Sequence, residues 1–161
     1  MCKIILRQLK IWPIPLSNIP EPNPKPTNSL PPDRWEHLDK YERKYLQKII
    51  IAYDKIMEVT DDVYQIASRY RLSVEEVERA KDYAFGRGVS LNQFLPDEDM
   101  AAAWTRMASG QEIDIDEVLL RHEVFESNLV VNQGMNTENA HNLAQARYPW
   151  SELLKQRRYH E

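Results

Sequence analysis

The chain has 161 residues, a formal net charge of -4 and one cysteine, Cys2. That length suits one domain plus a tail, and 42% hydrophobic with 29% charged residues is an ordinary soluble globular composition. The negative balance argues against a broad electrostatic grip on nucleic acid or an anionic membrane, and the single cysteine excludes an internal disulfide, as suits a reducing cytoplasm.

The amino terminus, "MCKIILRQLK", carries only a short apolar run broken by Arg7 and Lys10, far from the core of a secretion signal. No segment approaches the roughly 20 apolar residues that span a bilayer. A cytoplasmic protein without membrane contact is expected, and any delivery to a target cell follows a route the sequence does not display. Eight of the ten prolines fall in Ile11 to Pro32. Their fixed φ and missing N–H groups favour extended chain, so residues 1–32 read as a proline-rich tether or tail and 33–161 as the folded domain.

From Asp33 the spacing turns helical. Asp33 as N-cap, with Glu36 three residues on, opens a helix carrying Trp35, Leu38, Tyr45, Ile49, Tyr53 and Ile56 to about Met57. Thr60, with Asp61 and Asp62 in the first turn, starts a second helix ending near Tyr70. Ser73 and Glu76 form a capping box for a third that reaches Phe85. A fourth runs from Asp97 to Gly110, a fifth from Asp116 to Gln133 before Gly134, and a sixth from Thr137 to Arg147; Ser151 caps a last short helix. Nothing alternates with period two, so the expected fold is all-α, a compact domain of about six helices.

"IASRYRLSVEEVERA", Ile66 to Ala80, has the spacing of a DNA-binding helix-turn-helix. Its would-be recognition helix opens with Glu75, Glu76 and Glu78, whose carboxylates would face phosphate oxygens and the acceptor-rich major groove. DNA is therefore not the expected partner.

The chemistry-bearing stretch is "LLRHEVFESNL", Leu119 to Leu129. On a helical wheel His122 and Glu126 fall among Val118, Leu119, Phe125 and Leu129, whereas Glu123 lies at the edge of that face and Ser127 on the polar side. An unpaired carboxylate turned into an apolar face costs several kcal/mol, so Glu126 needs a partner. The following helix supplies "ENAHNLA": Glu138 and His141 at i and i+3, with Ala140 and Ala144 permitting close helix approach. Convergence of His122, Glu126, His141 and Glu138 would suit zinc or another first-row divalent ion, with Glu123 as general base. Metal-free His and Glu acid–base work fits the same residues, and so does a purely structural hydrogen bond joining two helices. The pattern is not HExxH, so the zinc-protease signature does not apply. Trp104 reads as a core residue with Arg106 at the surface, His37 as solvated, and Gly86 and Gly88 as helix-ending glycines without phosphate-loop spacing.

The ordered series "IASRYRLSVEEVERAKDYAF", "FLPDEDMAAAWTRMASG" and "DIDEVLLRHEVFESNLVVNQGMNTENAHNLAQARYPW" resembles small C-terminal domains of bacterial polymorphic toxins and some phage-encoded head proteins, over roughly Thr60 to Trp150. The resemblance implies a toxin-like effector module, with His122, Glu123, Glu126 and His141 as its functional candidates and a cognate immunity protein as partner. Similar domains carry histidines at the end of the third helix, where this chain has Tyr83 and Gly88. The alternative from another class is a non-catalytic interaction or immunity-type helical protein that binds a partner protein.

Overall fold

A computed structural model describes residues 33–160. The proline-rich stretch lies outside them. All regular structure among the described residues is helical: α1 (Lys40–Glu58), α2 (Asp62–Tyr70), α3 (Val74–Phe85), α4 (Arg87–Asn92), α5 (Glu98–Ser109), α6 (Asp116–Ser127), a π-helical turn (Asn128–Asn132), α7 (Thr137–Arg147) and α8 (Trp150–His160). The all-α expectation holds, with eight α-helices in place of six. None of them is long and apolar enough to cross a membrane.

Several boundaries move for identifiable reasons. Asp33 caps a turn, not a helix: its Oδ1 accepts from the Trp35 N–H, and Leu38 N–H closes back onto Trp35 O. The first helix begins seven residues later, where Asp39 accepts from the amides of Tyr41 and Glu42 and Glu42 returns a bond to the Asp39 N–H. A true capping box therefore outcompetes the lookalike at Asp33 and Glu36. The first helix keeps Tyr53 and Ile56 buried, while Tyr45 is exposed. Thr60 does not cap α2; that helix starts at Asp62, and the side chain of Asp61 at its N-cap accepts from no helix amide. The Ser73 and Glu76 box and the Asp97 cap form as expected.

Helix α4 has no clear sequence signal, because the two glycines read as a stop. Gly88 is instead a packing glycine: a Cβ there would sit 2.1 Å from the Tyr83 carbonyl oxygen, so the chain can double back tightly against α3 only without a side chain. Beyond Ser127 the fifth expected helix continues as the π-helical turn, and the last helix begins at Trp150 and runs for 11 residues.

The core is built around α3 and α6. Helix α3 packs against α1, α2, α4 and α6, and α6 packs against α3, α5, α7 and α8. Tyr53, Ile66, Val77, Phe85, Trp104, Met107 and Leu120 form the apolar centre, with Phe85 edge-on to both Tyr53 and Trp104. A smaller cluster of Ala103, Ile115, Leu119 and Trp150 seats α8. The helix-turn-helix spacing does form, since Arg71 takes the left-handed conformation between α2 and α3. Its second helix, α3, packs against α1, α2, α4 and α6 and leaves Glu75 and Glu78 exposed.

Two polar networks stitch these helices together. Asp62, 2% exposed, accepts from Lys81 Nζ at 2.8 Å and from the Trp104 indole N–H at 2.8 Å, joining α2, α3 and α5. Arg106, expected at the surface, instead holds the fully buried Asp116 through two bonds of 2.6 and 2.8 Å. His37, expected in solvent, is half-buried with Nε2 at 2.8 Å from the Phe94 carbonyl.

A candidate His and Glu centre

Leu119, His122 and Glu126 of α6 and Leu129 of the π-helical turn follow one another along a single stripe at spacings of three and four, all buried. Helix α7 comes up against α6 because the turn between them is short and its contact residues, Ala140 and Ala144, are small and fully buried. Gly134, at φ +69°, supplies the left-handed residue the turn needs. Asn136 then caps α7 by accepting from the Asn139 N–H at 2.8 Å, and His141 lands one turn further along.

The Glu126 carboxyl is the hub. Its Oε2 lies 2.9 Å from His122 Nε2 and 3.0 Å from His141 Nδ1, and its Oε1 accepts from the Tyr83 hydroxyl at 2.7 Å. The two imidazole rings are 5.2 Å apart, inclined at 60°. His122 Nδ1 sits 3.0 Å from the Tyr148 carbonyl, an acceptor only, so Nδ1 carries the proton. The 2.9 Å between His122 Nε2 and Glu126 Oε2 is a hydrogen-bond distance, so a proton lies between the imidazole and the carboxyl.

Burial alone would depress the His122 imidazolium, but the Glu126 hydrogen bond, the nearby Glu123 charge and the Tyr148 carbonyl outweigh it, and its pKa is raised. For Glu126 the balance runs the same way: desolvation pushes upward, and the three hydrogen bonds from His122, Tyr83 and His141 bring its pKa below the usual range. Both shifts favour the imidazolium–carboxylate form of the pair, His122 holding its proton more tightly and Glu126 releasing its own more readily than the free groups. Tyr83 stays a phenol, its pKa raised by desolvation and by the Glu126 charge.

The sequence reading and this geometry agree on three residues and part on three. His122, Glu126 and His141 place ligand atoms within 4.8 Å of one another. Glu138 is exposed in the first turn of α7 and stands outside that group. Glu123, expected at a rim, is buried. A wheel with one apolar face cannot describe a helix enclosed on several sides, and the second buried stripe of α6 carries Leu120, Glu123 and Ser127. The Glu123 carboxyl makes no hydrogen bond among the described residues, and desolvation, reinforced by the charges of Glu126 and Asp97 against that of His122, pushes its pKa up to about 8. Ser127, expected on the polar side, is fully buried, donating to the Val124 carbonyl and accepting from Arg79 Nε. It touches no base, so a serine nucleophile does not fit.

Tyr83 is the member that residue chemistry alone did not single out. It stands near the end of α3, and nothing local shows that its hydroxyl reaches Glu126, 43 residues away. Tyr83→Phe should cost about 1.5 to 3 kcal/mol in thermal or denaturant melts, the range for a hydrogen bond to a charged acceptor. The ring itself remains edge-on to Phe94, 5.3 Å between centroids, so a larger loss would point to disrupted packing. The Glu126 carboxyl, with one donor fewer, should titrate higher in the variant, which carboxyl NMR can follow.

Access to the centre is one-sided. His122 and Glu126 side chains are 5% and 6% exposed, whereas His141 is 57% exposed. Leu119 and Leu129 are buried on either side of the pair, and the Phe125 ring is half-buried against Tyr148. Comparison with known proteins found no matching family model, no matching curated protein and no matching solved structure.

Proposed function

We propose that the chain is a toxin-like effector module whose His122, Glu126 and His141 bind a divalent metal ion and promote hydrolysis. The observation that carries this reading is the convergence of His122, Glu126 and His141, one ligand atom from each within 4.8 Å of the others, with His122 held from its other side by the Tyr148 carbonyl. Two imidazoles and a carboxylate form the donor set of a hydrolytic zinc-type centre, which leaves a coordination position for water or substrate. The residues therefore fit a divalent ion. When bound, such an ion lowers the pKa of water and polarises a carbonyl or phosphoryl oxygen.

The protein's own contribution is positional. Tyr148 O holds His122 in place, Tyr83 occupies one oxygen of Glu126 and leaves the other to face the imidazoles, and His141 presents the only solvent-facing edge of the three. Glu123 lies too deep to meet a substrate at that edge in this conformation. Its pKa, pushed up to about 8 by desolvation, keeps it protonated near neutral pH, which weighs against the general-base role expected of it.

A second reading has one observation in its favour. With two of three members sealed, the same hydrogen bonds tie α3, α6 and α7 together as a structural network, as a non-catalytic protein that binds a partner would have them. Zinc titration of the full chain separates the two. The wild type should take up one equivalent, and His141→Ala should weaken that uptake by about 100-fold or more, since the loss of even a supporting group costs about 10 to 100-fold. His141 is the member to change because it is exposed and its loss spares the core. A wild type that binds no zinc would overturn the metal reading; expression in a bacterial cytoplasm beside the His122→Ala variant then tests whether toxicity follows the centre at all.

A further inference from the structure

Residues of α3, α6 and α7 and of the turns beside them line a half-open cavity of about 340 Å³. Each helix contributes one arginine to its lining: Arg79, Arg121 and Arg147. Phe125 and Tyr148 form an aromatic wall. From this arrangement we propose that the cavity binds a small phosphate monoester of nucleotide size.

The charge state of the three guanidiniums supports it. Arg121 is paired with Glu117 at 2.7 Å. Arg79 has only neutral acceptors, Ser127 Oγ at 3.3 Å and the Val124 carbonyl at 3.4 Å, both long. Arg147 makes no hydrogen bond or ion pair through its guanidinium among the described residues and lies over the Phe125 and Tyr148 rings at 5.2 and 5.5 Å. The one carboxylate in the lining, Glu76, is engaged by the Ser73 N–H in its capping box at 2.8 Å. Two arginines thus keep donors to spare beside a single, already engaged acid.

Geometry favours phosphate over carboxylate. A carboxylate is planar and is matched by the fork of one guanidinium. Guanidiniums arriving from three helices around one space suit a tetrahedral group with acceptor oxygens in several directions. The aromatic wall and the size of the cavity leave room for an organic moiety alongside the anion, within the range of small-molecule pockets. A phosphate on one compact group is compatible with a chain that is acidic overall, whereas a polyanion would meet the exposed Glu75 and Glu78 on the same helix as Arg79.

The proposal does not rest on the metal reading and is tested without metal. Calorimetric titration of the full chain in chelator should show adenosine 5′-monophosphate binding about tenfold or more tighter than either inorganic phosphate or adenosine. Arg147→Gln should weaken it by about tenfold or more, with Arg147→Lys between the two, because charge persists while the fork is lost. Arg147 is exposed, so the variants should keep the wild-type helical signal and melt. Lys155→Gln, at an exposed cation elsewhere, should bind as the wild type does. The proposal falls if the nucleotide does not saturate, if it binds no better than inorganic phosphate, if Arg147→Gln stays within about twofold of wild type, or if Lys155→Gln weakens binding equally. Zinc uptake without nucleotide binding removes this proposal alone, and the reverse result removes the metal centre alone.

Discussion

Asp62→Ala should destabilise the domain by about 3 to 5 kcal/mol and lower its melting temperature by roughly 10 to 20 °C. Asp62 is nearly fully buried and neutralises Lys81, itself 5% exposed, while also accepting from the Trp104 indole. Removing the carboxylate leaves a buried ammonium with only the Val59 carbonyl, at 2.5 Å, and an indole N–H with no acceptor. Breaking one side of a buried pair costs more than removing both, so adding Lys81→Met to Asp62→Ala should recover a large part of the loss. Denaturant melts of the two variants check this directly. A single variant within about 1 kcal/mol of wild type would show that water reaches the pair.

Glu123→Gln should make the domain more stable above pH 8, on the order of 2 kcal/mol or more, and change little near pH 4. The folded-state pKa of about 8 stands above the ordinary 4.5, so the native protein holds this proton more tightly than the unfolded chain does. Stability linked to Glu123 is therefore whole below about pH 4.5 and is lost as pH rises through 8. Glutamine cannot ionise and removes that slope. His122 and Glu126 add their own dependence: the raised His122 pKa contributes stability that is lost as pH climbs through it, and the lowered Glu126 pKa contributes stability that is lost as acid titrates it. The variant should flatten the alkaline limb and leave the acid limb in place. Melting curves from pH 4 to pH 9 on both proteins provide the test, and parallel profiles would mean that Glu123 is already charged in the folded state.

Local signals carried much of the fold. Capping boxes are short and self-contained, and the one at Ser73 and Glu76 is where its spacing puts it. The same rule misfires at Asp33, a lookalike six residues upstream of the true cap Asp39, which differs only in what its side chain bonds to. Helix α4 was invisible because six residues between Gly86 and a left-handed Gln93, with Gly88 among them, carry no periodic signal. At the centre, the pairing of His122, Glu126 and His141 was legible: each needs a polar partner, and the turn at Gly134 leaves few candidates. Glu123 and Ser127 were not, because their burial depends on how many helices surround α6. Asp62 is a similar case. It sits where a first-turn acid offsets the helix dipole, and nothing local shows that Lys81 and Trp104, 19 and 42 residues away, converge on it.

The π-helical turn at Asn128–Asn132 sets the spacing of the centre in a way no side chain does. Each of its hydrogen-bonded rings closes over five residues where an α-helix closes over four, so it absorbs backbone length that a regular helix of the same rise would not. At 3.6 residues per turn, one residue more or less redirects everything downstream by about 100°. The azimuth at which the chain leaves α6, and with it the 3.0 Å meeting of His141 with Glu126, is therefore a matter of counting. Two helices that share a carboxylate are phased by a surplus in the backbone between them, and that phase is as much a part of the centre as its imidazoles.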